Sequence, residues 1–186
     1  MKKAILGISS GFHDSAAALV DYDGRILFAS SEERFTRVKG DKVWPIRAIE
    51  NILEHAEVHG FEISIICYYE NPIVRLRWTL TNTLMSSMSL HEKLGRIRRL
   101  TFKYIELTVN LESLLNQLSL SRSDLFISDH HLSHATSVLA FSRQKSGLFC
   151  ILDAFGQDCS GIICHLSSSQ KLEVLNKLSI HQSVGL

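Results

Sequence analysis

The sequence has little net charge, no closely spaced cysteine pair and no long apolar run, and each absence excludes a class of protein. The net charge is +1, so no overall field marks the chain as a nucleic-acid-binding protein. No run approaches the roughly 18 apolar residues of a membrane span. The N-terminal apolar stretch breaks at Gly7 and Ser9, which is too short for a signal peptide. We therefore expect a soluble, cytoplasmic protein without a membrane partner.

The cysteines support the same expectation. None of the four belongs to a CxxC pair, and all lie in apolar stretches, which is typical of reduced core residues in a cytosolic protein. They are Cys67, Cys150, Cys159 and Cys164. With 45% apolar and 21% charged residues, the 186-residue chain has enough apolar content for one domain or slightly more, with a true core.

Residues 125–135 contain two histidines four positions apart. The short apolar run predicts a buried strand, and Ser128 or Asp129 can cap the helix that follows. On that helix His130 and His134 leave the same face one turn apart, so they could chelate one metal ion. The alternative is a pair of partly exposed histidines near a helix start.

The same helix allows two further predictions. His131 points about 100° away from the pair and is expected to be structural. An apolar stripe is expected to face the core, and it comprises Leu132, Ala135, Val138 and Leu139.

Two loops could bind anionic groups. Residues 9–14, between predicted strands at 4–8 and 15–20, form a Gly/Ser loop whose backbone N–H groups could approach a phosphate, the alternative being an ordinary hairpin turn. The charged residues 32–41 form either a solvated loop or a substrate-binding loop in which Arg37 and Lys39 meet anionic oxygens.

The remaining pattern alternates strands and helices. A strand is predicted at 25–30 after an Asp-Gly turn, a helix from Pro45 to Gly60, and a strand at 63–69. The Asn71-Pro72 pair begins a mostly helical region that extends to Leu120. Strands at 147–152, 159–166 and 172–178 follow.

A basic surface is predicted in the helical region, either for an anionic partner or as a solvated helix face. Its residues are Arg75, Arg77, Lys93, Arg96, Arg98, Arg99 and Lys103.

The chain carries an internal repeat of pattern. A shift of 144 residues brings 5–20 over 149–164 without a gap, and each copy reads strand, small polar loop, strand, turn, strand. A motif that recurs at domain scale suggests a duplicated α/β fold. It resembles the ribonuclease H-like, actin-like ATPase fold, in which two hairpin loops grip nucleotide phosphates.

We expect a first subdomain at 1–146 with a helical insert at about 71–120, and the truncated start of a second at 147–186. A complete second copy would need about a hundred more residues.

Four motifs in order resemble the O-carbamoyltransferases that act on antibiotics and nodulation factors, relatives of the tRNA threonylcarbamoyladenosine enzymes. They are Gly7 with Phe12-His13-Asp14-Ser15-Ala16-Ala17-Ala18, Glu32-Glu33-Arg34-Phe35-Thr36-Arg37 with Lys39, His130-His131-Leu132-Ser133-His134-Ala135, and the final Ser183-Val184-Gly185-Leu186. The resemblance implies a domain that binds carbamoyladenylate and passes its carbamoyl group to an acceptor hydroxyl. A separate C-terminal domain would make that intermediate from ATP and carbamoyl phosphate.

The resemblance also implies roles for individual residues. His130, His134 and Asp153 would ligate Fe(II) or another divalent metal, with a later aspartate beyond residue 186. His13 would take the proton of the acceptor, oriented by Asp14. The implied nucleotide- and phosphate-binding residues are Ser10, Gly11, Arg37, Lys39 and Gly156.

Two positions depart from the family pattern, and the resemblance implies further segments after residue 186. Ala154 stands where the family usually has Gly, and Gly40 where it usually has His or Asn. The partners implied are ATP, carbamoyl phosphate, a small hydroxyl-bearing acceptor and the C-terminal segments of the same enzyme. We expect this polypeptide alone not to turn over carbamoyl phosphate.

Three other readings stay open. A tRNA threonylcarbamoyladenosine-type transferase shares the paired histidines, although the Glu-Arg-Phe-Thr-Arg segment speaks against it and nucleic acid is not the expected partner. A non-catalytic module could keep the nucleotide-binding fold and bind a partner through its basic helices. A sugar kinase is weaker, because those kinases do not need paired helical histidines.

Overall fold

A computed structural model describes residues 1–142, 145–169 and 171–180 as a mixed α/β protein. The final motif at 183–186 lies outside the described residues. No helix among the described residues is long and apolar enough to cross a membrane. In chain order the elements are β1 (Lys2–Ser9), β2 (Ala16–Asp21), β3 (Ile26–Ser31), α1 (Glu33–Thr36), α2 (Ile46–Val58), β4 (Phe61–Tyr68), α3 (Pro72–Met85), α4 (Leu90–Gln117), a 3-10 turn (Arg122–Asp124), β5 (Leu125–Ile127), α5 (His130–Phe141), β6 (Gly147–Leu152), β7 (Gly161–Leu166) and β8 (Leu172–Leu178).

The chain forms two compact units that each combine distant segments. Unit 1 contains residues 1–69 and 90–127, and unit 2 contains residues 70–89 with the described residues from 128 onward. The helices of the predicted insert are therefore divided, with α3 in unit 2 and α4 in unit 1. The predicted duplication boundary at 146/147 is a different kind of division, and it stays a prediction.

Unit 1 is built on a mixed five-stranded sheet of order β3-β2-β1-β4-β5. The first three strands are antiparallel, whereas β4 and β5 run parallel to β1. Helices α2 and α4 supply apolar side chains to its core. The most buried core residues include Leu6, Leu19, Ile52, Ile66 and Leu115. Burial of such side chains contributes about 1.5–3 kcal/mol each, which makes this core the main source of stability in unit 1.

The charged segment after β3 contains one acidic residue with a structural task. Glu32 is buried, and its carboxylate accepts hydrogen bonds from the backbone N–H groups of Ala48 at 2.8 Å and Arg47 at 3.3 Å. These groups lie in the first turn of α2, whose N–H groups lack helical partners and favour negative charge. Glu32 thus fixes the segment that carries Arg37 and Lys39 to the start of α2.

We predict that Glu32→Gln lowers the free energy of unfolding by about 1–3 kcal/mol, because the amide replaces a charged acceptor at a buried helix terminus. Urea denaturation measures the change. The matched control is Glu62→Gln, at an exposed position on β4. Equal stability of the two variants would contradict the capping role.

Unit 2 contains an antiparallel three-stranded sheet of order β6-β7-β8. Its small core joins Ala135 and Leu132 of α5 to Cys159, Ile162 and Cys164. The sequence of strand, loop, strand, turn and strand matches that of β1–β3, as the repeat predicted. The observed strand bounds differ from the predicted ones by at most two residues at each end.

Two expectations about burial in unit 2 were wrong. Cys150 is exposed on β6, although all four cysteines are free as expected. Burial raises the pKa of the Cys159 thiol to about 11, so that group stays neutral. Val138 is 52% exposed, because the core contact of α5 lies in its first two turns, around Leu132 and Ala135.

Candidate metal centre

Helix α5 begins at a well-defined cap. The side chain of Asp129 accepts hydrogen bonds from the backbone N–H groups of His131 at 3.1 Å and Leu132 at 3.4 Å. This cap fixes the first turn, from which His130 projects. His134 follows one turn later on the same face, with its Nε2 atom 3.2 Å from His130 Nε2.

Asp153 follows the last residue of β6 and brings a carboxylate to this histidine pair. Its Oδ2 atom lies 2.8 Å from His130 Nε2 and 3.7 Å from His134 Nε2. Its other oxygen, Oδ1, accepts the backbone N–H of Ala154 at 2.7 Å, which leaves Oδ2 directed at the imidazoles. The structure therefore brings together the two histidines that helical spacing paired and the aspartate that the family resemblance added as a metal ligand.

The geometry of the three atoms fits one cation. Metal–nitrogen bonds of about 2.0–2.1 Å separate neighbouring ligand atoms by about 3.0 Å in octahedral and about 3.4 Å in tetrahedral coordination. The three observed separations, 2.8, 3.2 and 3.7 Å, span these values. Two imidazoles and a carboxylate form a donor set that iron and zinc both accept. His130 is buried, whereas the side chain of His134 is 54% exposed and leaves the site open on that side.

A single buried amide ties the Asp153 loop to two helix starts. The Gln157 carbonyl oxygen accepts the backbone N–H of Asn71 at 2.8 Å, and its amide nitrogen donates to Asp129 Oδ2 at 2.5 Å. Asn71 and Asp129 are the N-caps of α3 and α5. Gln157 is 2% exposed, so these bonds hold the loop without competition from water. Sequence reasoning missed this residue because its partners are distant in the chain.

His131 packs inside the same loop. Its ring is fully buried, with Nδ1 3.4 Å from the sulfur of Cys159, and one ring edge lies against Gly156. A Cβ atom at Gly156 would collide with His131 Cε1, so only glycine fits there. This is a packing reason for Gly156, whose predicted nucleotide-binding role stays a prediction. One ring nitrogen of His131, one ring nitrogen of His130 and one carboxylate oxygen of Asp153 also lie within 4.8 Å of one another, so His131 is nearer to the centre than the helical wheel suggests.

A second carboxylate that the sequence reading missed lies beside His130. Glu70, directly after the predicted strand at 63–69, is 6% exposed, and its Oε2 atom lies 3.7 Å from His130 Nδ1. Arg75 Nη1 lies 2.5 Å from the same oxygen. Arg75 therefore forms a partly buried ion pair, and this removes it from the predicted basic surface. The available sequence signal was an acidic residue at the end of an apolar strand.

The carboxylates shift the protonation of the centre. Burial by itself lowers the pKa of His130, but hydrogen bonding and charge from Glu70 and Asp153 outweigh burial and raise the pKa. Burial likewise raises the pKa of Asp153, but the hydrogen bonds from His130 and the Ala154 N–H outweigh it and lower the pKa. Burial lowers the pKa of His131. The metal-free centre thus favours an imidazolium–carboxylate pair between His130 and Asp153.

Unit 1 contains the other predicted site residues. His13 Nδ1 lies 2.7 Å from Asp14 Oδ2, and both side chains are about two-thirds exposed, at 64% and 65%. Ser10 is buried, with its hydroxyl 3.2 Å from the hydroxyl of Tyr68. Gly11 has a φ of +89° and donates its backbone N–H to the Lys42 carbonyl at 2.9 Å. In this conformation Ser10 and Gly11 are engaged in contacts within unit 1.

Arg37 and Lys39 share an open cleft with Asp14. The cleft has a volume of about 450 Å³. Its lining residues are Asp14, Glu33, Arg34, Arg37 and Lys39. Three basic and two acidic side chains around one cavity can bind an anion and still orient a polar group beside it.

The titration of the His130–Asp153 pair gives a testable pH dependence in chelator-treated protein. The pKa of His130 is raised above 6.5 by folding, so its stabilising contribution is complete below pH 6.5 and is lost as the pH rises through the raised value. The pKa of Asp153 is lowered below 3.8, so its contribution is lost as the pH falls through the lowered value.

We expect wild-type protein to exceed Asp153→Asn in free energy of unfolding by about 1.5 kcal/mol at about pH 4–6, with the difference shrinking at higher pH. Urea denaturation across the pH range measures it. A difference that does not vary with pH would contradict the assignment.

Comparison with known proteins places the chain in a family. The family model described as Carbamoyltransferase N-terminus matches residues 4–185. The chain is 33% identical over 158 residues to an uncharacterized protein of Synechocystis sp., covering 82% of this chain and 26% of that protein. It is 28% identical over 177 residues to the nodulation protein NolNO of Sinorhizobium fredii, covering 94% of this chain and 24% of that protein.

An uncharacterized protein of Methanocaldococcus jannaschii is 26% identical over 181 residues, covering 97% of this chain and 28% of that protein. The chain thus spans about a quarter of the length of these relatives. Because the family model matches nearly the whole chain, the chain belongs to the carbamoyltransferase family and corresponds to the N-terminal portion of its members.

Proposed function

We propose that the whole protein transfers a carbamoyl group from carbamoyladenylate, made from ATP and carbamoyl phosphate, to the hydroxyl of a small-molecule acceptor. Family membership supports carbamoyl transfer as the reaction class. The observation that carries the mechanism is the convergence of two histidine nitrogens and one carboxylate oxygen within 3.7 Å of one another.

In this proposal His130, His134 and Asp153 hold Fe(II) or another divalent metal. When bound, the ion would polarise a phosphate or carbamoyl oxygen as a Lewis acid. The chain's own residues contribute position: the Asp129 cap sets the start of α5, and Gln157 holds the Asp153 loop against that start. The exposed side of His134 leaves room for a substrate oxygen.

His13 is the proposed general base. Its Nδ1 atom faces the Asp14 carboxylate, so Nε2 is left to accept the proton of the acceptor hydroxyl. The carboxylate of Asp14 would orient the ring and stabilise the imidazolium that forms. The exposure of both side chains gives an acceptor molecule access to the ring.

Arg37 and Lys39 are the proposed anion-binding residues, because their charged groups line the same cleft as Asp14. Ser10, Gly11 and Gly156 would shape the two hairpin loops for close approach of the nucleotide phosphates. We also propose that residues 1–146 and 147–186 are related by duplication of an actin-like, ribonuclease H-like plan. The support is that β1–β3 and β6–β8 are both antiparallel three-stranded meanders.

The metal site is tested by titrating the chelator-treated chain with Co(II) and following its visible absorption. We expect one ion per chain, and a loss of affinity of tenfold or more in each of three variants, since each removes one ligand. The variants are His130→Ala, His134→Ala and Asp153→Asn. His91→Ala, at an exposed position on α4, is the matched control. Unchanged affinity in the three variants would contradict the site.

The base is tested by the rate of carbamoyl transfer in the whole protein, with carbamoyladenylate and a panel of small hydroxyl-bearing acceptors. His13→Ala is expected to lower kcat by about 100-fold or more, because general-base catalysis contributes about 10²–10⁴. Co(II) affinity should not change, since His13 is not among the three proposed ligands. His59→Ala, an exposed position on unit 1, is the control. Full activity of His13→Ala would exclude it as the base.

A further inference from the structure

The imidazole of His130 lies between two carboxylates. On one side its Nε2 atom faces Asp153 Oδ2 at 2.8 Å, and on the other its Nδ1 atom faces Glu70 Oε2 at 3.7 Å. The side chains of His130 and Glu70 are only 8% and 7% exposed. Burying an unpaired carboxylate costs free energy. Glu70, which is buried beside His130 Nδ1, therefore needs a positively charged partner, and its position there needs a functional explanation.

The partner of Glu70 is Arg75. Its guanidinium lies 2.5 Å from Glu70 Oε2 and 5.3 Å above the ring of Phe155, which in turn lies 5.1 Å from the ring of Trp78. Arg75 belongs to the beginning of α3, where the side chain of Asn71 caps the first turn. The aromatic contacts and the capped helix restrict the guanidinium, and the guanidinium in turn restricts the carboxylate.

We propose that Glu70, held in place by Arg75, is a positioning residue of the metal centre that accepts the Nδ1–H of His130. This inference rests on the proposed metal site. A neutral imidazole carries one N–H, and the nitrogen that binds a metal must lack it. An acceptor fixed beside Nδ1 selects the form in which Nε2 has the free lone pair, which is the atom that faces Asp153 and His134.

The contact also sets the direction of the ring. The 3.7 Å separation is longer than a hydrogen bond. Metal binding at Nε2 would release the proton of that nitrogen to solvent and leave Nδ1–H as the single N–H of the ring, whose hydrogen bond Glu70 would accept. Outer partners of this kind typically contribute about 10- to 100-fold to metal affinity. Glu70 and Arg75 are therefore expected to act on the metal without touching it.

The first test is zinc affinity, measured by competition with a chromophoric chelator. Glu70→Leu is expected to weaken zinc binding by about 10- to 100-fold, and Glu70→Gln, which keeps an acceptor oxygen, by less. The matched control is Glu112→Leu, which removes a glutamate that pairs with Arg122 at 2.7 Å in unit 1. The control should bind zinc as wild type does.

The second test reports the proton itself and needs no variant. In the zinc-loaded wild-type chain, long-range ¹⁵N–¹H spectra of the His130 ring should show a protonated Nδ1 and a metal-bound Nε2. If Glu70 served only the packing of the fold, it would not determine which ring nitrogen of His130 is protonated. A metal-bound Nδ1 with a protonated Nε2 would overturn the inference, and this spectrum decides the matter if Glu70→Leu does not fold.

The outcomes separate this inference from the proposed function. Zinc binding by His130→Ala as tight as wild type would remove the metal site, and the inference with it. Loss of zinc in His130→Ala together with wild-type affinity in folded Glu70→Leu would leave the metal site standing and overturn the role of Glu70 alone.

Discussion

The candidate site depends on one long-range contact, that between the carboxylate of Asp153 and the imidazole of His130. His130 and His134 meet by helical geometry alone, but a pair of imidazoles makes a weak and unselective cation site. The carboxylate adds negative charge and a third donor atom, and it must be carried from the end of a strand to the start of a helix. Much of the local structure of unit 2 serves this placement.

Three features hold the Asp153 loop where the contact can form. The buried amide of Gln157 joins the loop to the caps of α3 and α5. The bare Cα of Gly156 lets the loop close over the ring of His131. Glu70 and Arg75 occupy the far side of His130. Each is a polar or close-packed interaction among largely buried groups. A buried polar group that loses its hydrogen-bond partner destabilises the fold by more than the bond itself contributes.

These observations explain what the sequence could and could not predict. The pairing of His130 with His134, the capped start of α5 and the strand that ends at Asp153 all follow from local periodicity and capping rules, so they were predictable. Glu70 and Gln157 have no local signature, because their partners are tens of residues away. Cys150 and Val138 look like core residues by composition, yet their exposure depends on which elements pack over them.

The residues of unit 1 show the same division between local pattern and tertiary contact. The contact of His13 with Asp14 joins neighbours in the sequence and was expected. From the sequence, Glu32 was only one member of a charged segment. In the structure its carboxylate is buried at the start of α2. For residues 9–14 the sequence left open a phosphate-binding loop or an ordinary hairpin turn, and only the structure shows that the Gly11 N–H is bonded to the Lys42 carbonyl.

X-ray absorption spectroscopy of the iron-loaded chain tests the central claim most directly, because it counts the imidazoles bound to the ion. The account predicts two imidazole ligands and oxygen ligands, with nitrogen at about 2.0–2.2 Å. A spectrum with no imidazole scattering, or one that is unchanged when Asp153 and both histidines are replaced together, would contradict it.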